Sequence, residues 1–232
     1  MGHAVALTRR KRAAEVPAKT GLSTKERLLE IAGEIFAEQG FDRTTAKEIC
    51  ARASANAAAV NYYFGGIDGL YGAVLEEAQR RFITFDDIAA AVARKDRPRA
   101  KLRALIELAV SRLTAPVSES WVFRLLAREA AAPSAAFARI RQREILPRAV
   151  LVKSIVSQLI DLPPDHPAVA RASLSIIAPF AMLSIADRKI LRAAFPSLPL
   201  GEETKDVLAA HFYHYALAGL ADVKRRTGRS GL

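Results

Sequence analysis

Between residues 23 and 82 the chain carries four helix signatures in the order long, short, short, long, and this order limits what can be built. Leu28, Ile31, Ala32, Ile35, Phe36 and Gln39 recur at the i, i+3, i+4, i+7 spacing of one helix face. Ser23 followed by Glu26 opens that helix as a capping box, and Gly40 closes it. After the Gly40-Phe41-Asp42 corner, Thr45 and Glu48 repeat the capping spacing and start a short helix to about Arg52. Asn56 is placed to cap a second short helix ending near Tyr62. Gly65-Gly66 then breaks the chain before a longer helix bearing Leu70, Val74, Leu75, Ala78 and Phe82 on one side.

The remainder reads as helical too. Helices are expected at roughly 98–113, 118–131, 135–160, 166–193 and 203–223, punctuated by prolines. Pro147 and Pro179 fall inside these spans, so a kink or break is expected at each. No segment sustains period-2 alternation with β-branched residues, and the chain is expected to be all-α with no sheet.

Length and charge narrow the class. The 232 residues are enough for a sizeable core, and the single cysteine, Cys50, excludes an internal disulfide framework. The uncharged stretches Ser54–Ile67 and Ala172–Ala186 fall short of the ~18–20 apolar residues of a membrane span. No secretory leader is visible after the basic Thr8–Arg12 segment, so a soluble, cytoplasmic protein without membrane association is expected. The formal net charge of +11 favours an anionic partner, but it is spread along the chain, with local clusters at Arg9–Arg12 and Lys224–Arg229.

Two short helices joined through Ala53-Ser54-Ala55 fit a helix-turn-helix, in which one helix braces the other in a major groove. Ile49, Ala53 and Val60 would face the core. The short side chains Ala57, Ala58 and Ala59 would let the second helix approach base edges. Asn56 and Asn61 offer amide donors and acceptors, while Thr45, Tyr62 and Tyr63 suit phosphate contacts.

On these residues the chain resembles the TetR family of transcriptional regulators. The resemblance runs from Thr24-Lys25-Glu26-Arg27 through Phe36-Ala37-Glu38-Gln39-Gly40-Phe41, then Thr44-Thr45-Ala46-Lys47-Glu48-Ile49, then Val60-Asn61-Tyr62-Tyr63-Phe64-Gly65. The last stretch and Leu70-Tyr71 are most similar to the CecR-like subgroup, as are Leu125–Ser134 and Pro147 downstream. It implies a homodimeric repressor that leaves double-stranded operator DNA when a small-molecule effector binds its C-terminal helices. By position, it implies phosphate contacts from Thr45, Lys47 and Tyr63, and base-reading positions at Asn56, Ala57, Ala58 and Asn61. Two positions depart from the family: Ser54 stands where glycine is usual in the turn, and Ile67 where a phosphate-binding lysine is usual. A left-handed serine would cost about 1 kcal/mol.

The expected organisation is a flexible basic arm at 1–22, a DNA-binding domain at 23–70, an effector and dimerisation domain at 71–223 and a basic tail at 224–232. Arg9, Arg10 and Arg12 are candidates for a DNA-touching arm. Trp121, Phe123, Arg124 and Arg128, with Phe137 and Phe180, are candidates for an effector pocket with a cationic handle. The Ala172–Ala186 helix, apolar nearly all round, and the last helix suggest a two-fold interface through Ile176, Phe180, Leu183, Leu208, Phe212 and Tyr215.

Other groups read as structural. His211 and His214, three apart on a helix, lack a third ligand at helical spacing, and no metal or cofactor is expected. Cys50 lies where a small buried residue belongs. Asp86-Asp87 and Glu202-Glu203 are adjacent pairs that diverge on a helix, fitting solvated charges or helix-start residues. No phosphate-cradling glycine loop, Gly-x-Ser-x-Gly elbow or His-Glu-x-x-His is present, so an enzyme is not expected. Two alternatives stay open: a helical ligand-binding dimer that has lost specific DNA binding, and a protein that meets lipid surfaces through its basic ends.

Overall fold

The computed structural model describes residues 22–115, 121–198 and 200–229. Twelve α-helices account for most of them, and no strand occurs among the described residues. The first four are α1 (Thr24–Gln39), α2 (Ala46–Arg52), α3 (Ala59–Phe64) and α4 (Ile67–Phe82). Then follow α5 (Phe85–Ala93), α6 (Pro98–Thr114), α7 (Trp121–Ala131), α8 (Phe137–Ile140) and α9 (Leu146–Ile160). The last three are α10 (Pro167–Ile185), α11 (Arg188–Ala194) and α12 (Lys205–Arg229).

The caps explain where these helices begin. Ser23 and Glu26 form the expected capping box of α1. The Thr45 hydroxyl accepts from the Glu48 amide at 3.2 Å to start α2. The Asn56 carboxamide accepts from the Ala58 amide at 2.8 Å, but this closes a turn, and α3 starts at Ala59, three residues beyond. A further capping box, Thr84 with Asp87, starts α5 between the segments in which helices were expected. Asp86 and Asp87 are thus helix-start residues, which the macrodipole favours.

Prolines and polar residues divide the C-terminal helices more finely than periodicity suggested. The span 135–160 contains a π-helical turn, Arg141–Ile145, between α8 and α9. Pro147 lies two residues beyond it, so the wider turn accommodates a ring with no amide to donate. The span 166–193 is interrupted at Ala186-Asp187, where the Asp187 carboxylate accepts from the Lys189 amide at 2.6 Å and opens α11. Pro179 is held inside α10. The last helix runs past Val223 to Arg229, so part of the basic tail is helical. Arg225 and Arg226 pair with Asp222 one turn earlier, and Lys224 reaches Asp161 at 3.6 Å.

Two hydrophobic cores result. The first gathers Leu28, Ile35 and Phe36 of α1, Ile49 of α2, Val60 of α3 and Leu70, Val74 and Leu75 of α4. Into the same core come Trp121, Val122 and Leu125 of α7, Phe137 and Ile140 of α8, and Leu183 near the end of α10. The second is built from α5, α6, α9, the start of α10 and α12, around Leu102, Ile106, Val156, Ile160, Val169 and Leu208. Each fully buried Leu, Ile or Phe contributes about 1.5–3 kcal/mol relative to exposure.

Paired carboxylates at the α4–α5 corner make the fold acid-sensitive. Burial alone would raise the Glu77 carboxyl, yet hydrogen bonds and charge from Arg80 and Arg81 hold it below the usual range. The Thr84 amide holds Asp87 low against burial, helped by the Thr84 hydroxyl and by Arg112 and Arg148. A carboxylate depressed in the folded state contributes stability above its unfolded pKa and loses it as pH falls through the folded value. The urea midpoint should therefore decline below about pH 5. Asp87→Asn should flatten that decline and cost about 1 kcal/mol at pH 7, measured by urea titration across pH.

Candidate DNA-reading face and effector domain

α2 and α3 are short because their inner residues are few and fully used. Ile49, Cys50 and Ala53 are buried on one side of α2, and Ala59 and Val60 on one side of α3. The Arg27 guanidinium on α1 donates to the Ala53 carbonyl at 2.8 Å, fastening the turn between them. Ser54, next in the chain, adopts φ +50°, the left-handed conformation that the turn demands. The Cys50 thiol faces the Ala57 carbonyl at 3.8 Å, consistent with a structural role.

Outward, the arrangement is different. Thr45, Lys47, Asn56, Ala57, Ala58, Asn61, Tyr62 and Tyr63 are all exposed. Tyr62 is 81% accessible, and its ring meets Tyr63 edge-on at 4.8 Å. One expectation needs correction, and one departure finds its reason. Ala59 is 8% exposed and packs inward, so it does not belong to the reading surface. Ile67 is half-buried against the first core, so packing takes the place of the family's lysine there. The arm residues Arg9, Arg10 and Arg12 lie outside the described residues.

The recognition helix is tied to α4 by a tight link. Gly69 lies so close to the end of α3 that any Cβ there would overlap the Phe64 carbonyl oxygen. α4 in turn meets α7. The Tyr71 ring stacks edge-on against Phe36 at 4.7 Å, and its hydroxyl donates to the Glu129 carboxylate on α7. Burial, then the hydrogen bond to Glu129 and the Glu129 charge, push the Tyr71 hydroxyl above its ordinary pKa, keeping it a donor. Glu129, 2% exposed, also accepts from the Ser134 amide at 2.9 Å and the Ser134 hydroxyl at 3.0 Å. Periodicity could not single out this carboxylate, because on the sequence it is one of many charges.

The expected effector pocket is not assembled. Trp121 is 4% exposed, its indole N–H donates to Glu30 at 3.0 Å, and Gly33 faces its ring so closely that a Cβ would stand 2.5 Å away. Phe137 is buried in the same core, while Arg124 and Arg128 are exposed. The aromatic face of α7 is the seam with α1 and α4. Phe180 instead lines an apolar groove of about 130 Å³ between α6, α10 and α12, with Ile106, Ile176, Pro179, Phe212 and Tyr215. Pro179, having no N–H, gives the Ser175 carbonyl on that groove no helical donor.

The expected interface residues divide as well. Leu183 and Leu208 are core side chains. Ile176, Phe180 and Phe212 are half-buried, and Tyr215 is 75% exposed. Sequence reading missed Leu174, Ile177 and Met182 on α10 and Val207 on α12, all exposed. With Ala178 and Ala181 they form an apolar face at helical spacing. His211 and His214 are exposed on α12, and His211 stacks with Tyr215 at 6.2 Å.

Residues 98–223 match the C-terminal domain of the HTH-type transcriptional dual regulator CecR, and residues 28–74 match the bacterial regulatory proteins of the tetR family. Over 56 residues the chain is 38% identical to the probable HTH-type transcriptional regulator YttP of Bacillus subtilis, spanning 24% of this chain and 27% of that one. Among solved structures, the ketosteroid transcriptional regulator KstR2 of Mycobacterium tuberculosis superposes with a TM-score of 0.60 at 20% identity, covering 85% of this chain and 94% of that one. A TetR-like regulator from Rhodococcus sp. RHA1 gives 0.60 at 19% identity, over 89% and 99%. AibR in complex with isovaleryl coenzyme A and operator DNA gives 0.61 at 15% identity, over 82% and 96%. At these identities the structural likeness is one of fold.

Proposed function

The chain belongs to the TetR family of bacterial regulatory proteins, with a CecR-type C-terminal domain, and on that premise we propose that it is a homodimeric repressor released from its operator by a small-molecule effector. One observation carries the DNA-binding part. α2, α3 and the link between them bury Ile49, Ala53, Ala59 and Val60 and leave Asn56, Ala57, Ala58, Asn61, Tyr62 and Tyr63 to solvent, separating an interior from a reading face within fifteen residues. In this reading Lys47, Thr45 and Tyr63 hold phosphates, while Asn56 and Asn61 address base edges.

The dimer reading rests on α10 and α12. The stretch Pro167–Ser184 has a mean hydropathy of 1.4, yet only 28% of it is buried. Pro179, Arg171 and three serines make it a poor bilayer helix. A second copy covering Leu174, Ile177, Met182 and Tyr215 accounts for an apolar face of that kind. The groove lined by Phe180 and Phe212 opens among the same helices and is the candidate chamber for an apolar effector. The protein works in the cytoplasm, with its DNA, as a regulator and not as an enzyme.

Fluorescence anisotropy of DNA from the gene's own upstream region, against a shuffled duplex and across a salt series, tests the reading. A preference of about 10³-fold or more with a steep salt slope is expected. Equal, weak binding to this and to in vitro-selected duplexes would favour the ligand-binding dimer without DNA function. Tyr63→Phe should weaken binding to every sequence alike, by roughly 1 kcal/mol. Asn61→Ala should cost about 1–3 kcal/mol and relax preference at one base pair. An equal loss at every site tested would remove Asn61 from base reading.

A further inference from the structure

The two cores do not divide the chain where the DNA-binding helices end. α7 and α8 lie beyond α5 and α6 in sequence, yet Trp121, Val122, Leu125, Phe137 and Ile140 share a core with α1–α4. α5, α6, α9 and α12 share the other. Polar bonds reinforce the first grouping at both ends of α7. At one end Trp121 donates to Glu30, which also pairs with Arg81, whose guanidinium sits 5.4 Å from the indole ring. At the other end Glu129 holds Tyr71 of α4 and Ser134 ahead of α8.

At three of the passages from one core to the other, the helical ladder is interrupted. Between α4 and α5 it stops at Ile83, and Thr84 caps a new helix. Between α8, whose Ile140 is in the first core, and α9, whose Val152 is in the second, stands the π turn Arg141–Ile145 with Pro147 just after it. Within α10, Ala172 and Ile176 lie against the second core and Leu183 in the first, and Phe180, next to Pro179, touches both. α6 makes the same passage between Val110 and Leu113 in its last turn without a break, the Thr114 hydroxyl bonding back to the Val110 carbonyl at 3.0 Å. Broken ladders at π turns and prolines are where helices flex. A polar cluster also spans the boundary. Arg148 of α9 donates to the Ile83 carbonyl at 2.5 Å and to Gln79 at 3.2 Å, and Glu144 accepts from the Phe85 amide at 2.7 Å.

We infer that α3, the recognition helix, moves as one rigid body with α1, α2, α4, α7, α8 and the last turns of α6 and α10, against a second body of α5, α6 up to Val110, α9 and α12. The boundary runs through Ile83-Thr84, the π turn and Pro179. Its regulatory meaning rests on the DNA-binding reading above: an effector in the groove of α6, α10 and α12 would act at Pro179, on the boundary itself, without touching α1–α4.

Native-state hydrogen exchange of the full chain in low urea, resolved by peptide, tests the partition without any ligand. Val122→Ala, in α7, should speed exchange of α7, α1 and α4 about 10-fold or more while α9 and α12 stay within about 2-fold. Val156→Ala, in α9, should do the reverse. Should Val122→Ala prevent folding, the gentler Ile140→Val in the same core reads the same partition. If Val122→Ala instead speeds α9 and α12 with α7 and spares α1 and α4, α7 belongs to the other body and the inference falls. It falls equally if either variant speeds all helices alike. Operator binding by wild-type protein is measured separately: its absence would overturn the DNA reading and leave the two-body partition standing, whereas a failed partition with intact operator binding removes only the partition.

Discussion

Gly69→Ala is expected to abolish specific operator binding, by about 100-fold or more, while the C-terminal bundle stays folded. The added methyl group would overlap the Phe64 carbonyl oxygen, which is backbone at the end of the recognition helix and cannot rotate away. Either α3 shifts by a fraction of its own turn or the start of α4 unwinds, and both misplace Asn61 and Tyr63. A displacement of about 1 Å is enough to lose hydrogen bonds to base edges, since these weaken steeply with distance and angle. Far-UV circular dichroism should show helicity close to wild type, with anisotropy on an in vitro-selected duplex showing the loss. Retained operator affinity would mean that the α3–α4 link does not set the position of the reading helix.

The largest effect on stability is expected at Glu129. Glu129→Ala would leave the Tyr71 hydroxyl and the Ser134 amide and hydroxyl without their acceptor and open a cavity beside the first core. Stranded buried donors cost about 1–3 kcal/mol each and a cavity adds to that, so a loss of roughly 3–5 kcal/mol is expected. Glu129→Gln keeps an acceptor oxygen and should lose less. In urea titrations Tyr71→Phe should cost about 1–2 kcal/mol in wild type and almost nothing in the Glu129→Ala background. Additive losses would show that the two side chains do not depend on each other.

Much of this was legible in the sequence where local physics decides. Ser23, Thr45, Gly40 and the apolar face of α1 act through contacts a few residues apart, and α1 and α2 begin where their caps place them, whereas α3 starts three residues beyond Asn56. The turn strain at Ser54 was likewise readable, because the turn needs a left-handed residue whatever surrounds it. The Thr84–Asp87 box was equally local, and α5 shows that such a signal also counts in a short apolar run rich in alanine. What could not be read was which surface each helix shows to its neighbours. Trp121 and Phe137 looked like pocket walls, but α7 packs onto α1 through Gly33, a contact separated by almost ninety residues. Leu183 and Leu208 looked like interface residues and are core, while Leu174 and Met182, on the same helix as Leu183, are bare. Helical periodicity gives an apolar stripe, and tertiary packing alone decides which flank of that stripe meets solvent.

Trp121 is the chain's one tryptophan, and it sits at the seam between α7 and α1, inside the first core. Its indole is sealed from solvent, donates to Glu30 and lies beneath the Arg81 guanidinium. The molecule therefore carries its own optical reporter at the joint that couples α7 to α1. Its emission should be blue-shifted and shielded from acrylamide, and any event that parts α7 from α1 should redden it and let the quencher in. Events confined to the far side of the boundary should leave it dark to the quencher, so a single unlabelled cuvette can distinguish separation at this joint from rotation about the other.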